Sequence, residues 1–140
     1  MNHFQKLLGV RKEDNEFIQF ETNLKGTAIL RILHAGRKDD DITEYELLYK
    51  EDGILLTFLD ERINKVKLYF APTPICKPFK DEFVFGLSHI SSENDIKKQF
   101  EFPKNLNQAP MRADNVYQFE NCTVAFDAMT GEINYAEIIR

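Results

Sequence analysis

Apolar residues recur along this chain with two different periods. At the start, Phe4, Leu7 and Leu8 form one stripe at helical spacing, and Gly9 stops it, so a short first helix is predicted. A second helix is predicted over residues 14–25. Asp14 can cap it, Glu16 suits its first turn through the helix dipole, and Phe17, Phe20 and Leu24 share one face. Gly26 ends the pattern.

From there the period shortens. Residues 27–34 (TAILRILH), 42–49 and 54–59 read as strands, joined by a charged loop over 35–41 and by the Asp52-Gly53 hairpin signal. After a turn at 60–62, Ile63, Val66, Leu68 and Phe70 make a further strand with Lys65 and Lys67 on its outer face. Pro72, Pro74 and Pro78 cannot sit inside a sheet, so 72–78 reads as an extended connector. Phe83-Val84-Phe85 reads as a short strand. Ser92 and Asp95 then stand at capping-box spacing before a helix over 92–100, which carries Ile96 and Phe100 and stops at Pro103. A polar loop over 104–114 follows, then strands over 116–119, 121–126 and 133–139, with a turn at Thr130-Gly131-Glu132.

Strands that follow one another across short turns pair antiparallel, and helices that precede them must cover one face. The expected fold class is therefore α+β: an antiparallel sheet of meander strands with two or three short helices packed on it, in a single domain over 1–140. Residues 1–71 and 79–140 can be laid over one another. Each has a helix, a Tyr-bearing strand, a strand ending in Phe (Phe58, Phe126) and a strand of the form Ile-x-x-small-x-aliphatic (63–68, 133–138). Either these are two diverged α-β-β-β halves, or they share only what any two α+β segments share.

Composition sharpens this picture in few places. A chain of 140 residues buries roughly 68% of its unfolded surface, so it needs neither metal nor disulfide to fold. Twelve Phe and no Trp imply a ring-rich core that asks for no hydrogen-bond partners. A net charge of −5 argues against nucleic acid and anionic membrane surfaces as partners. No stretch has the length of a signal peptide or of a membrane span, which makes the cytoplasm the expected compartment. Cys76 and Cys122 belong to no metal-binding spacing and read as reduced thiols, with Cys122 in the core; a disulfide between them stays open.

Chemistry is sparse. His3, His34 and His89 lie in no catalytic or zinc motif, the serines form no nucleophile elbow, and the six glycines form no phosphate loop. No catalytic residue, cofactor or metal ion is expected. The densest acidic run is Asp39, Asp40 and Asp41 followed by Glu44 and Glu46, with Asp60 and Glu61 at a neighbouring turn. These seven residues are either a solvated surface or a partner-binding face. A negative face speeds association with a basic partner and excludes wrong ones. The rival reading is a small enzyme or ligand-binding domain, with a pocket between helices and sheet around His89, Glu93 and Tyr117.

Leu7-Leu8-Gly9, the helix over 14–24, the strand over 53–58, Phe85-Gly86-Leu87, the helix over 92–100 and the closing meander from Tyr117 to Ile138 together carry a resemblance. The chain resembles small bacterial immunity proteins of polymorphic and contact-dependent growth inhibition systems, with a repeat similar to that of β-lactamase-inhibitor proteins. It departs from them at Phe102-Pro103, where Gly-Pro often closes the second helix. The resemblance implies a non-catalytic inhibitor that binds a cognate toxin domain, a basic one on the charge argument above.

Overall fold

A computed structural model describes residues 3–35, 42–80, 105–107, 114–119 and 121–140. Two short helices lead: α1 (His3–Leu7) and α2 (Asn15–Thr22). Asp14 stands at the N-cap of α2 with extended backbone, yet its side chain does not cap. The carboxylate instead accepts from the backbone N–H of Arg11 at 2.9 Å, tying the helix to the link before it. Helix α2 ends at Thr22, three residues before the expected 25. Asp52, from the hairpin over 50–53, accepts from the N–H groups of Lys25 and Gly26 and holds the exit in a non-helical path.

Eight strands follow among the described residues: β1 (Ile29–Ala35), β2 (Ile42–Tyr49), β3 (Ile54–Leu59), β4 (Arg62–Tyr69), β5 (Asn105–Asn107), β6 (Asp114–Phe119), β7 (Cys122–Asp127) and β8 (Ile133–Ile139). They form one antiparallel sheet in the order β1-β2-β3-β4-β8-β7-β6-β5. The α+β class with a meander sheet is thus the observed one, and it is mainly β. Strand β5 lies where a polar loop was expected, because Asn105-Leu106-Asn107, with a single apolar residue, is too short a run to reveal a strand. The short strand at 83–85 and the helix over 92–100 fall outside the described residues.

The register has a regularity of its own. The pairing of β3 with β4 slips between Thr57 and Phe58, and that of β7 with β8 slips between Ala125 and Phe126. Each slip leaves one asparagine out of step, Asn64 and Asn134. Their carbonyls accept from the N–H of Arg140 and of Phe70, both at 2.8 Å. Where β4 meets β8, Val66 faces Ile138 and Leu68 faces Ala136, on either side of the Lys67–Glu137 pair.

The helices pack on one face. Alternate residues point into that core: Leu47 and Tyr49 from β2, Ile54, Leu56 and Phe58 from β3, Ile63, Val66 and Leu68 from β4, and Val124, Phe126, Ala136 and Ile138 from β7 and β8. Rings fill the gap to the helices. Phe4 meets Phe79 edge-on at 5.5 Å, Phe17 meets Phe58 at 5.9 Å, and Phe20 meets Tyr49 at 6.0 Å. Cys76 and Cys122 are both buried free thiols. No helix among the described residues is long and apolar enough to cross a membrane.

Candidate protein-binding surface

The sheet gathers some of the acidic residues and separates others. Glu44 on β2 faces Leu59 on β3, and the N–H of the next residue, Asp60, donates to the carbonyl of Thr43 at 2.9 Å. Glu44, Asp60 and Glu61 therefore share one end of the sheet. Glu13 joins them: it and Glu61 both act on the Tyr45 hydroxyl, whose pKa is raised by burial first and by these two carboxylates after it. Arg11 and Arg62 stand beside this end as cross-strand partners, with Arg62 held to the Gly9 carbonyl at 2.9 Å. Glu46 lies apart, on the sheet face away from the helices, where it is buried and ion-paired with Arg31. Asp39, Asp40 and Asp41 are outside the described residues.

The turn that presents Asp60 and Glu61 is unusual. Two residues join β3 to β4, and both have positive φ, 49° and 69°. Such a mirror-image turn matches the strand twist but favours Asn-Gly. A side chain in the left-handed region costs roughly 1–2 kcal/mol, least for Asp and more for Glu, so two carboxylates are exposed there against the local backbone preference.

A second feature adjoins the acidic end, and sequence patterning missed it. Among the described residues, strand β1 is an edge of the sheet. Ile29, Leu30, Ile32 and Leu33 on it are 49%, 56%, 52% and 41% exposed. Four large aliphatics on both faces of an edge strand are an uncommon surface; natural sheets usually blunt such edges with charge or proline. The clue was that residues 28–33 are apolar on both parities apart from Arg31. That pattern suits a strand covered on both faces, yet this strand is last in the sheet. Between β1 and α2 runs a groove of about 520 Å³ whose lining includes Phe17 and Glu21 of α2, Ala28, Leu30 and Leu47.

The pocket expected under the rival reading has a counterpart at another place. A cavity of about 490 Å³ opens between α1, α2 and the sheet, with Phe4, Leu7, Phe20, Ile54 and Phe79 on its walls and Lys6, Glu16 and Gln19 at its rim. His89 and Glu93 are outside the described residues. Tyr117 is far from this cavity in role: it is 1% exposed and packs edge-on against Phe126 at 5.9 Å in the core of the later strands. At the groove beside β1, the Tyr49 hydroxyl donates to Glu21 at 2.8 Å. Burial, then that carboxylate, pushes the Tyr49 pKa far up. A phenol held protonated in this way ties helix to sheet and supplies no base. Among the described residues, no group of three or more His, Cys, Asp or Glu comes together as for a metal ion.

No protein family, curated protein or solved structure matches the chain.

Proposed function

We propose that this protein is a non-catalytic, protein-binding inhibitor of the immunity type, which neutralises a cognate bacterial toxin domain in the cytoplasm by covering or distorting its active site. The observation that carries this reading is the pairing of an exposed apolar edge, β1, with a neighbouring acidic sheet end. An apolar patch excludes water from an interface, and charge beside it steers the partner. The strained Asp60-Glu61 turn supports the same reading, because strain retained at a surface turn points to a use for what the turn presents. The matched slips at Asn64 and Asn134, and the exchange of partners about Lys67–Glu137, support two diverged halves joined through β4 and β8.

Co-expression with the product of the neighbouring gene tests the function. Growth is restored and the two chains co-purify if the reading holds; persistent toxicity with no complex overturns it. In the complex, Asp60→Lys with Glu61→Lys lowers the association rate about tenfold and flattens its dependence on salt, while dissociation changes little. The cavity between α1, α2 and the sheet favours a second reading, a binding site for a small apolar ligand. A rise in melting temperature with such a ligand, abolished by Leu7→Lys at the cavity wall, would be its mark.

A further inference from the structure

We infer that the edge strand β1 and the groove beside α2 receive an extended segment of the partner protein, which joins the sheet as an added strand. This rests on the reading of the chain as a protein-binding module and specifies how it binds.

Three independent features converge. The first is backbone. Among the described residues, strand β1 pairs with β2 on one side only, so half of its N–H and C=O groups face away from that partner, and an edge of this kind templates another strand. The pairing with β2 runs in even register from Ile29 to Ile32 and then shifts on either side of His34. The regular stretch open to a partner is therefore residues 29–32, and the distortion after it limits how far pairing can extend.

The second feature is the groove. An added strand lies about 4.8 Å from β1, and every second side chain points to the helix face. Those side chains would enter the space between β1 and α2, against Leu30 and over the apolar floor made by Phe17 and Leu47. A flat edge offers affinity alone, whereas an edge with a groove also selects side chains.

The third is charge. Past the regular stretch, His34 pairs with Glu44, and Asp60 and Glu61 follow at the same end of the sheet; with Glu13, four carboxylates stand there against the three cations Arg11, Lys12 and Arg62, an excess of one negative charge. The segment that fits is thus extended, apolar at alternate positions and basic at the end that reaches Glu44. A second copy of this chain fits less well, since any self-pairing centred on Arg31 sets two guanidinium groups opposite each other.

A short synthetic peptide of alternating valine and threonine that ends in two lysines is the probe, with binding read by fluorescence anisotropy and strand addition by hydrogen exchange of the β1 amides. The peptide is expected to bind, to slow exchange across residues 29–32, and to weaken about tenfold against Leu30→Lys. Met129→Lys, at a turn residue 94% exposed, serves as the control and changes nothing. Leu30 is itself 56% exposed, so its variant folds, and an unchanged melting temperature verifies that. The proposal is overturned by equal binding of the same peptide methylated on every amide nitrogen, by equal binding of a peptide that ends in two glutamates instead, or by unprotected β1 amides in the complex. Concentration-dependent protection of β1 without peptide assigns the edge to a second copy and overturns it too. Loss of toxin neutralisation as a function, with peptide addition intact, removes the inhibitor role and leaves this docking mode standing.

Discussion

Cys122 shows how one buried group couples this fold to pH. Its side chain is 2% exposed, and burial, with Glu137 adding to it, pushes the thiol from an ordinary 9.0 up to about 12. The unfolded chain releases that proton near 9, whereas the folded chain keeps it. Between these values the folded state binds more protons, so stability is whole below pH 9 and falls as pH rises toward 12. Tyr49 acts in the same direction, starting above its ordinary value of 10.0. Replacing Cys122 with Ala removes one contribution and leaves the other. Urea midpoints followed from pH 8 to 11 should decline less steeply in Cys122→Ala than in the parent, after an offset of about 1 kcal/mol at neutral pH for the lost packing. Identical slopes would show that the thiol does not titrate on unfolding as described. The same burial makes Cys122 slow toward thiol reagents until the sheet opens, because the reactive thiolate is suppressed.

Among the elements, the turns decide most. Gly53 ends the β2–β3 hairpin with φ +73°, and a Cβ there would meet the Lys77 carbonyl oxygen and the Phe79 nitrogen, each at 2.5 Å. Gly131 has nearly the same φ, +74°, but open space around it. Gly131→Ala should therefore lose only the conformational part, about 1 kcal/mol, while Gly53→Ala adds a backbone clash and should lose about 3 kcal/mol or more. Denaturation in urea separates the two, and equal losses would mean that the connector over 72–78 yields without resistance. Both glycines were readable beforehand as turn residues, as were the strands between them, since alternation and Asp-Gly are local signals. What surrounds a turn is not local, so the contact with Lys77 and Phe79 was invisible. The same limit explains β1: its apolar run was legible as a strand, but its place at the edge follows from the order of the whole sheet. Of the acidic residues, Asp60 and Glu61 are legible as exposed because charge at a turn is a surface signal. Ile29, Leu30, Ile32 and Leu33 were passed over because aliphatics in a strand normally mean core.

At the scale of the molecule, the joint between β4 and β8 determines whether the protein behaves as one body. Val66, Leu68 and Ala136 are fully buried and Ile138 is 1% exposed, all on the helix-covered face and paired across the joint. The core cluster runs through them without a break, from Phe4 to Ile138. A sheet joined in this way should unfold in a single transition, and Leu68→Ala or Ile138→Ala should each lower stability by about 3 kcal/mol without splitting it. Tyrosine fluorescence and far-ultraviolet circular dichroism should give coincident curves in both variants; a plateau in one and not the other would show two separately folding units. Hydrogen exchange should grade outward from the joint, slowest in β4 and β8 and fastest in β1, where one side of the backbone is open and the side chains are half exposed. That gradient bears on binding. The part of the sheet offered to a partner is held from one side only, so an added strand would contribute hydrogen bonds and apolar cover along its open side. Partner binding should then slow exchange in β1 strongly and in β4 and β8 hardly at all, because the joint is already closed on both sides.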